Sequence, residues 1–181
     1  MSGLPGQTKS REIGDIRGLV ATLAHDDPLE RHRARETLVA IGRPAVKSLV
    51  KLLNDPRSHV RWEAAKALGP IGDPDAAPAL VSALEDRDTD VRWLAAAGLI
   101  RLGCGALKPL LTALLERPDS EWLREGAHHV FHDLVGRVPF GLARSMLAAL
   151  DESEPQLAVP QAAYEAFQAL ESVTVDPEGS R

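Results

Sequence analysis

Cysteine is nearly absent: Cys104 stands alone in 181 residues, which excludes an internal disulfide framework. Aromatic residues make up 4% of the chain. A thick core built on ring packing is therefore excluded, and thin layers of closely apposed helices suit the composition better. No apolar run approaches the roughly 18 residues that a membrane-spanning helix needs. Residues 1–10 are polar and lack the apolar segment of a secretory leader. These absences predict a soluble cytoplasmic protein. Short catalytic motifs are missing too. The chain has no phosphate-cradling glycine loop, no serine nucleophile elbow, no His-Glu-x-x-His and no Cys-x-x-Cys. No acid, base and nucleophile converge, so the sequence reads as a non-enzyme without cofactor, catalytic residue or metal ligand.

What the chain has is hydrophobic content of 44%, rich in alanine and leucine, and a pattern that repeats. Val60-Arg61-Trp62-Glu63-Ala64-Ala65-Lys66-Ala67-Leu68-Gly69-Pro70-Ile71-Gly72 recurs 31 residues later as Val91-Arg92-Trp93-Leu94-Ala95-Ala96-Ala97-Gly98-Leu99-Ile100-Arg101-Leu102-Gly103. Counted from Val60 and Val91, small or apolar residues fall at offsets 4, 5, 8 and 11, one face of a helix. Glycine follows at offset 12, where a helix ends in a left-handed residue. Further copies begin at Glu30, Leu123 and Val159. Each is paired with a second apolar helix, such as Val46, Leu49, Val50 and Leu53, or Ala77, Leu80, Val81 and Leu84. Asp27-Pro28, Asp55-Pro56 and Asp73-Pro74 mark starts, because Asp caps free N–H groups and Pro fits a first turn. A unit this short cannot bury its own apolar face, so copies must stack. About ten helices in antiparallel pairs are expected over residues 11–173, with disordered ends at 1–10 and 174–181.

The pattern V-R-x-x-A-A-x-A-L-x-x-I-G-D-P at Val60 to Pro74 resembles HEAT repeats, and within them the short subtype named after phycobilisome lyases. The resemblance implies an all-α, right-handed superhelical solenoid of about five helical hairpins. It also implies a convex and a concave face, the concave one commonly holding a partner. The iron-binding enzymes of this repeat class use His-Glu dipeptides, and none occurs here.

Net charge is −5 but uneven. Residues 1–70 carry 12 Lys/Arg against 8 Asp/Glu, and residues 71–181 carry 9 against 18. In a stack, that places opposite potentials at the two ends. The asymmetry is either a solvation matter or a sign of an anionic partner or head-to-tail association between copies, so a homo-oligomer is possible.

Three rows and two local groups carry the candidate sites. Arg31, Arg61, Arg92 and Arg124 share offset 1 beside acidic turns, which suits bidentate carboxylate pairing between repeats; a phosphate row is the alternative. Trp62 and Trp93 share offset 2, joined by His32, and are expected on the outer surface as a docking ridge or as flat covers over the helix junction. The second helices offer a row containing Lys47, Lys51, Ser82 and Ala113, with Leu110 and Leu114 alongside, as a groove for a peptide or helix. His128, His129 and His132 cluster on one helix, but only Glu125 stands at chelating spacing, so packing is the simpler reading. Asp86-Arg87-Asp88-Thr89-Asp90 starts like a calcium loop, yet Val91 replaces the glycine and Ala97 the closing glutamate; capping carboxylates fit better.

The sequence thus predicts a non-catalytic scaffold that binds another protein or peptide. A lyase-like or chaperone-like accessory factor is the alternative, and nucleic-acid binding through the basic first repeats is disfavoured by a pI of about 5.7.

Overall fold

The computed structural model describes residues 16–139 and 141–174, so the expected tail at 1–10 and all but Thr174 of the one at 174–181 lie outside the described residues. Among the described residues there is no strand. Helix α1 covers residues 16–22. It is followed by α2 (Pro28–Ile41), α3 (Arg43–Leu52), α4 (Ser58–Ile71), α5 (Ala77–Ala83), α6 (Thr89–Leu102), α7 (Cys104–Glu116), α8 (Glu121–Leu134), α9 (Leu142–Leu150) and α10 (Pro155–Thr174). A 3₁₀ turn, Pro74–Ala76, leads into α5.

The periodic apolar face explains the stacking. Ala64, Ala65 and Leu68 on α4, and Ala95, Ala96 and Leu99 on α6, are all buried. Helices α2, α4, α6 and α8 form one layer, each packed on the next. At the α4–α6 junction glycine faces glycine: a Cβ on Gly69 would stand 3.6 Å from the Gly98 Cα. The second helices α3, α5 and α7 form the other layer. Leu80, Leu107, Leu111 and Leu114 are fully or almost fully buried between the layers.

Turn chemistry follows the expected positions. Asp27 accepts from the Leu29 N–H at 2.8 Å and caps α2. Asp88 does the same for Asp90 at 3.0 Å, which accounts for the calcium-like run as a cap. Asp55 differs: it accepts from the Arg57 N–H in the turn, and α4 starts later, at Ser58. Gly42 joins α2 to α3 as a single residue with φ 74° and ψ −136°, a conformation that a side chain strains.

The C-terminal end departs from the regular stack. Helix α10, expected as the first helix of another repeat, packs principally against α7 and α9 rather than on α8. Only part of the repeat face is buried on it: Val159 and Ala163 are interior, whereas Tyr164 is 56% exposed. The longer connection at Val135 to Pro139 sets α9 apart from α7, and α10 packs against both. Phe167 of α10 thereby reaches Lys108 of α7, with the ammonium 5.6 Å from the ring centre.

Candidate interaction surfaces

The arginines at offset 1 share one contact besides the carboxylate pairing that their acidic neighbours suggest. Each donates from Nη1 to the loop carbonyl six residues before it: Arg31 to His25 (2.9 Å), Arg61 to Asp55 (2.9 Å), Arg92 to Asp86 (2.8 Å) and Arg124 to Pro118. Each arginine thus pins the loop that precedes its own helix. Bridging to a carboxylate of the next repeat occurs at two of the four. Arg31 reaches Glu63 at 3.3 Å, and Arg61 grips Asp86 with two bonds of 2.6 and 2.8 Å. Arg92 instead lies 4.7 Å over the Trp122 ring, because the position matching Asp86 one repeat later, six residues before Arg124, is Pro118. Each member of the row thus has guanidinium protons engaged within the fold, by a loop carbonyl at all four positions and by a carboxylate as well at Arg31 and Arg61.

Two carboxylates in these turns are tuned. The side-chain hydrogen bond from Arg57 holds Asp55 down to a pKa of about 2, against an ordinary 3.8. Burial pushes Asp86 up, but the bonds from Arg61 and the Asp88 N–H outweigh it, leaving its pKa lowered. A carboxylate with a depressed folded pKa adds stability above its unfolded value and loses it as pH falls through the folded one. The melting temperature should therefore drop as pH is lowered from about 4 towards 2, and Asp86→Asn should flatten that slope. Circular dichroism melts across this range check it; an unchanged slope in the variant would refute the assignment.

A buried charge cluster, unforeseen as such, locks α2 onto α4. Arg35 is 7% exposed and Glu63 4%. The Glu63 carboxylate accepts from both Arg31 and Arg35. Arg35 also donates to His32 Nδ1 at 2.6 Å and lies 5.7 Å over the Trp62 ring. The sequence signal was an arginine at offset 5, where the next two repeats carry Ala65 and Ala96.

The tryptophans divide. Trp62 is half-buried, roofed by Arg35 and by the Lys66 ammonium at 4.6 Å, so it covers the junction and is not a free ridge. Trp93 is 62% exposed. Its companion is Trp122, one residue ahead of the repeat start at Leu123 and overlooked in the offset count, which is 45% exposed. Together they flank a cleft of about 290 Å³ between α6 and α8, floored by Leu84, Ala96 and Gly126 and rimmed by Thr89, Glu125 and His129. Gly126 keeps the floor low: a Cβ there would come within 2.9 Å of the Leu84 Cδ2.

On the second-helix layer, Lys47, Lys51 and Ser82 are exposed, as expected. Leu110 and Leu114 are fully buried and Ala113 is 4% exposed, so these three belong to the interior. The helical face of α7 is rotated by one residue relative to the expectation, and Lys108 and Thr112 occupy its exposed positions. Two clefts open here. One, between the loop that follows α3 and helix α5, is lined by Leu53, Asp55, Pro78, Ala79, Ser82 and the paired Arg61 and Asp86. The other lies between α5, α7 and α10 and includes Ser82, Lys108, Pro109, Thr112, Ala113 and Phe167.

The histidine group does not converge. His128, expected to pack inward, is partly exposed and its Nε2 lies 3.1 Å from Asp151. Among the described residues, no group of three or more His, Cys, Asp or Glu is placed to hold a metal. No helix there is long and apolar enough to cross a membrane.

Comparison with known proteins follows the same lines. The family model described as HEAT repeats matches residues 16–100. The structure of the complex of CpcE and CpcF of phycocyanin lyase from Nostoc sp. PCC7120 is similar, with 25% identity, 83% of this chain and 98% of that chain covered, and a TM-score of 0.52. An engineered protein shares 21% identity over 89% of this chain and 87% of its own, with a TM-score of 0.46. A designed armadillo repeat protein in complex with the peptide (KR)4 shares 19% over 91% and 93%, with a TM-score of 0.41. No curated protein matches this chain.

Proposed function

We propose that this α-solenoid, whose residues 16–100 match HEAT repeats, is a non-catalytic scaffold that binds another protein through the Trp93–Trp122 cleft. The observation that carries the reading is the exposure of two tryptophans beside a partly apolar cavity in a chain with only three. Exposed indole rings with an apolar floor supply contact area at low entropic cost and concentrate binding energy. Arg92 holds the Trp122 ring from one side, which pre-organises one wall.

The test is affinity capture from the native host with mass spectrometry, comparing wild type with Trp93→Ser and with Trp93→Ser/Trp122→Ser. Partners retained by wild type should be lost from both variants. The melting temperature of Trp93→Ser should stay within about 2 °C of wild type, because an exposed side chain contributes little to stability. Equal capture by all three proteins would refute the cleft as the binding site.

A second reading, an accessory factor of the lyase kind, is supported by the likeness to the CpcE–CpcF complex. An absorbance titration with a linear tetrapyrrole separates the two: a saturable spectral shift favours this reading, and a flat response leaves the scaffold.

A further inference from the structure

We propose that the occupant of the Trp93–Trp122 cleft is a cationic side chain, a lysine or arginine on a basic segment of the partner. The proposal rests on the assignment of that cleft as the binding site and adds the chemistry of what enters it. The neighbouring tryptophan shows the pattern. Trp62 and Trp93 stand at the same offset in successive repeats, yet only Trp62 is matched from within the chain. The Lys66 ammonium lies 4.6 Å from the centre of the Trp62 ring, and the Arg35 guanidinium 5.7 Å. One repeat later, the residues corresponding to Arg35 and Lys66 are Ala65 and Ala97. Among the described residues no cation lies over the Trp93 ring, which is exposed. The negative face of an indole attracts a cation. Trp93 therefore keeps the ring and lacks the charges that complete it on Trp62. Arg92 does not take that place. Its guanidinium donates to the Asp86 carbonyl at 2.8 Å and to Thr89 Oγ1 at 3.0 Å, and it lies over Trp122.

The charges around the cleft have the sign that a cation needs. Glu125 lines it and occupies on α8 the offset that Trp93 occupies on α6. Asp90 and Glu121 stand in the first turns of the same two helices. All three acids are exposed, and none is held in an ion pair among the described residues. Residues 88–92 and 119–125 together hold five acids against two arginines, Arg92 and Arg124. Both arginines already donate to loop carbonyls. The local field therefore favours a positive partner. The floor formed by Leu84 and Ala96 suits an aliphatic stem, so a lysine or arginine can bury its carbons there and keep its charged head between the indole and the carboxylate. A wholly apolar side chain would cover the same floor but leave Glu125 without a counter-charge, and an acidic one would meet Glu125 directly.

Fluorescence anisotropy of the full-length protein tests this, with a labelled peptide of alternating lysine and alanine and with the same peptide acetylated at every lysine, which removes the charge. At about 0.1 M salt the charged peptide should bind saturably, and the acetylated one about tenfold or more weakly. Trp93→Ser, which leaves the net charge of the protein unchanged, should weaken the charged peptide by about fivefold or more. Ala97→Lys should weaken it as much, by placing over Trp93 the cation that Lys66 places over Trp62. Thr112→Lys adds the same charge at an exposed position of α7, away from the cleft, and should change binding by less than about twofold. Absence of saturable binding, indifference to Trp93→Ser, equal effects of Ala97→Lys and Thr112→Lys, or an acetylated peptide that binds as tightly as the charged one would each overturn the cationic occupant. Capture of native partners separates this from the cleft assignment. Partners lost from Trp93→Ser should also be lost from Ala97→Lys; full retention by Ala97→Lys would keep the cleft as the binding site and overturn its cationic occupant.

Discussion

Glu63→Ala should destabilise the protein by about 3–5 kcal/mol, the largest effect expected of any single substitution here. The reason is asymmetric. Glu63 and Arg35 are almost completely buried where α2 meets α4. The carboxylate satisfies two guanidinium groups at once, Arg31 and Arg35. Arg31 keeps its loop carbonyls when Glu63 is removed. Arg35 keeps only His32 and Glu36, the latter at 3.7 Å, with the Trp62 face beside it. A buried cation then remains without its main counter-charge. Denaturant unfolding followed by circular dichroism measures the loss. The double variant Arg35→Met/Glu63→Met should regain most of it, because an apolar pair of similar volume needs no desolvation of charge. A loss below about 1 kcal/mol in Glu63→Ala would mean that water reaches the cluster and that the α2–α4 junction is looser than described.

Gly98→Leu should cost about 1–3 kcal/mol or more, by overpacking the α4–α6 junction. Gly98 lies against Leu80 and opposite Gly69, and a Cβ on it would already stand 3.0 Å from the Leu80 Cδ1 and 3.8 Å from the Gly69 Cα. Gly98→Ala is the informative partner. Its single methyl meets the flexible end of Leu80, and alanine favours a helix over glycine by about 1 kcal/mol, so the two effects should nearly cancel. Ala95→Leu and Ala96→Leu press on the same buried face and should fall in the same range as Gly98→Leu, about 1–3 kcal/mol. Thermal melts of the four variants check the ranking. A neutral Gly98→Leu would place the α4–α6 contact elsewhere.

The stack was legible because it follows from local rules. A 31-residue echo with small residues at fixed offsets admits few arrangements other than stacked hairpins. Gly42, Gly72 and Gly103 all take the positive φ that their offset implies. Asp27 and Asp88 cap as their type suggests. The candidate sites were less legible, and particular residues show why. Leu110 and Leu114 were expected beside a groove, yet a shift of one residue turns a helix by about 100° and carries them inside. Trp62 and Trp93 share an offset but not an environment. The preceding repeat sends Arg35 over Trp62, whereas on the other side Trp93 meets Trp122 and a glycine. Arg92 matches Arg61 in sequence and loses its carboxylate because Pro118 stands where the preceding repeat has Asp86.

The sequence alone determined that this chain is a helical solenoid, where its hairpins turn, and which small residues form the seam, because helix periodicity and glycine conformation are properties of a few neighbouring residues. Only the tertiary structure decided that Glu63 joins two arginines, that Trp93 pairs with Trp122, and that α10 packs against α7 and α9. Those outcomes depend on side chains some thirty residues apart, or more, meeting across helix junctions, and no local pattern encodes which of them will meet.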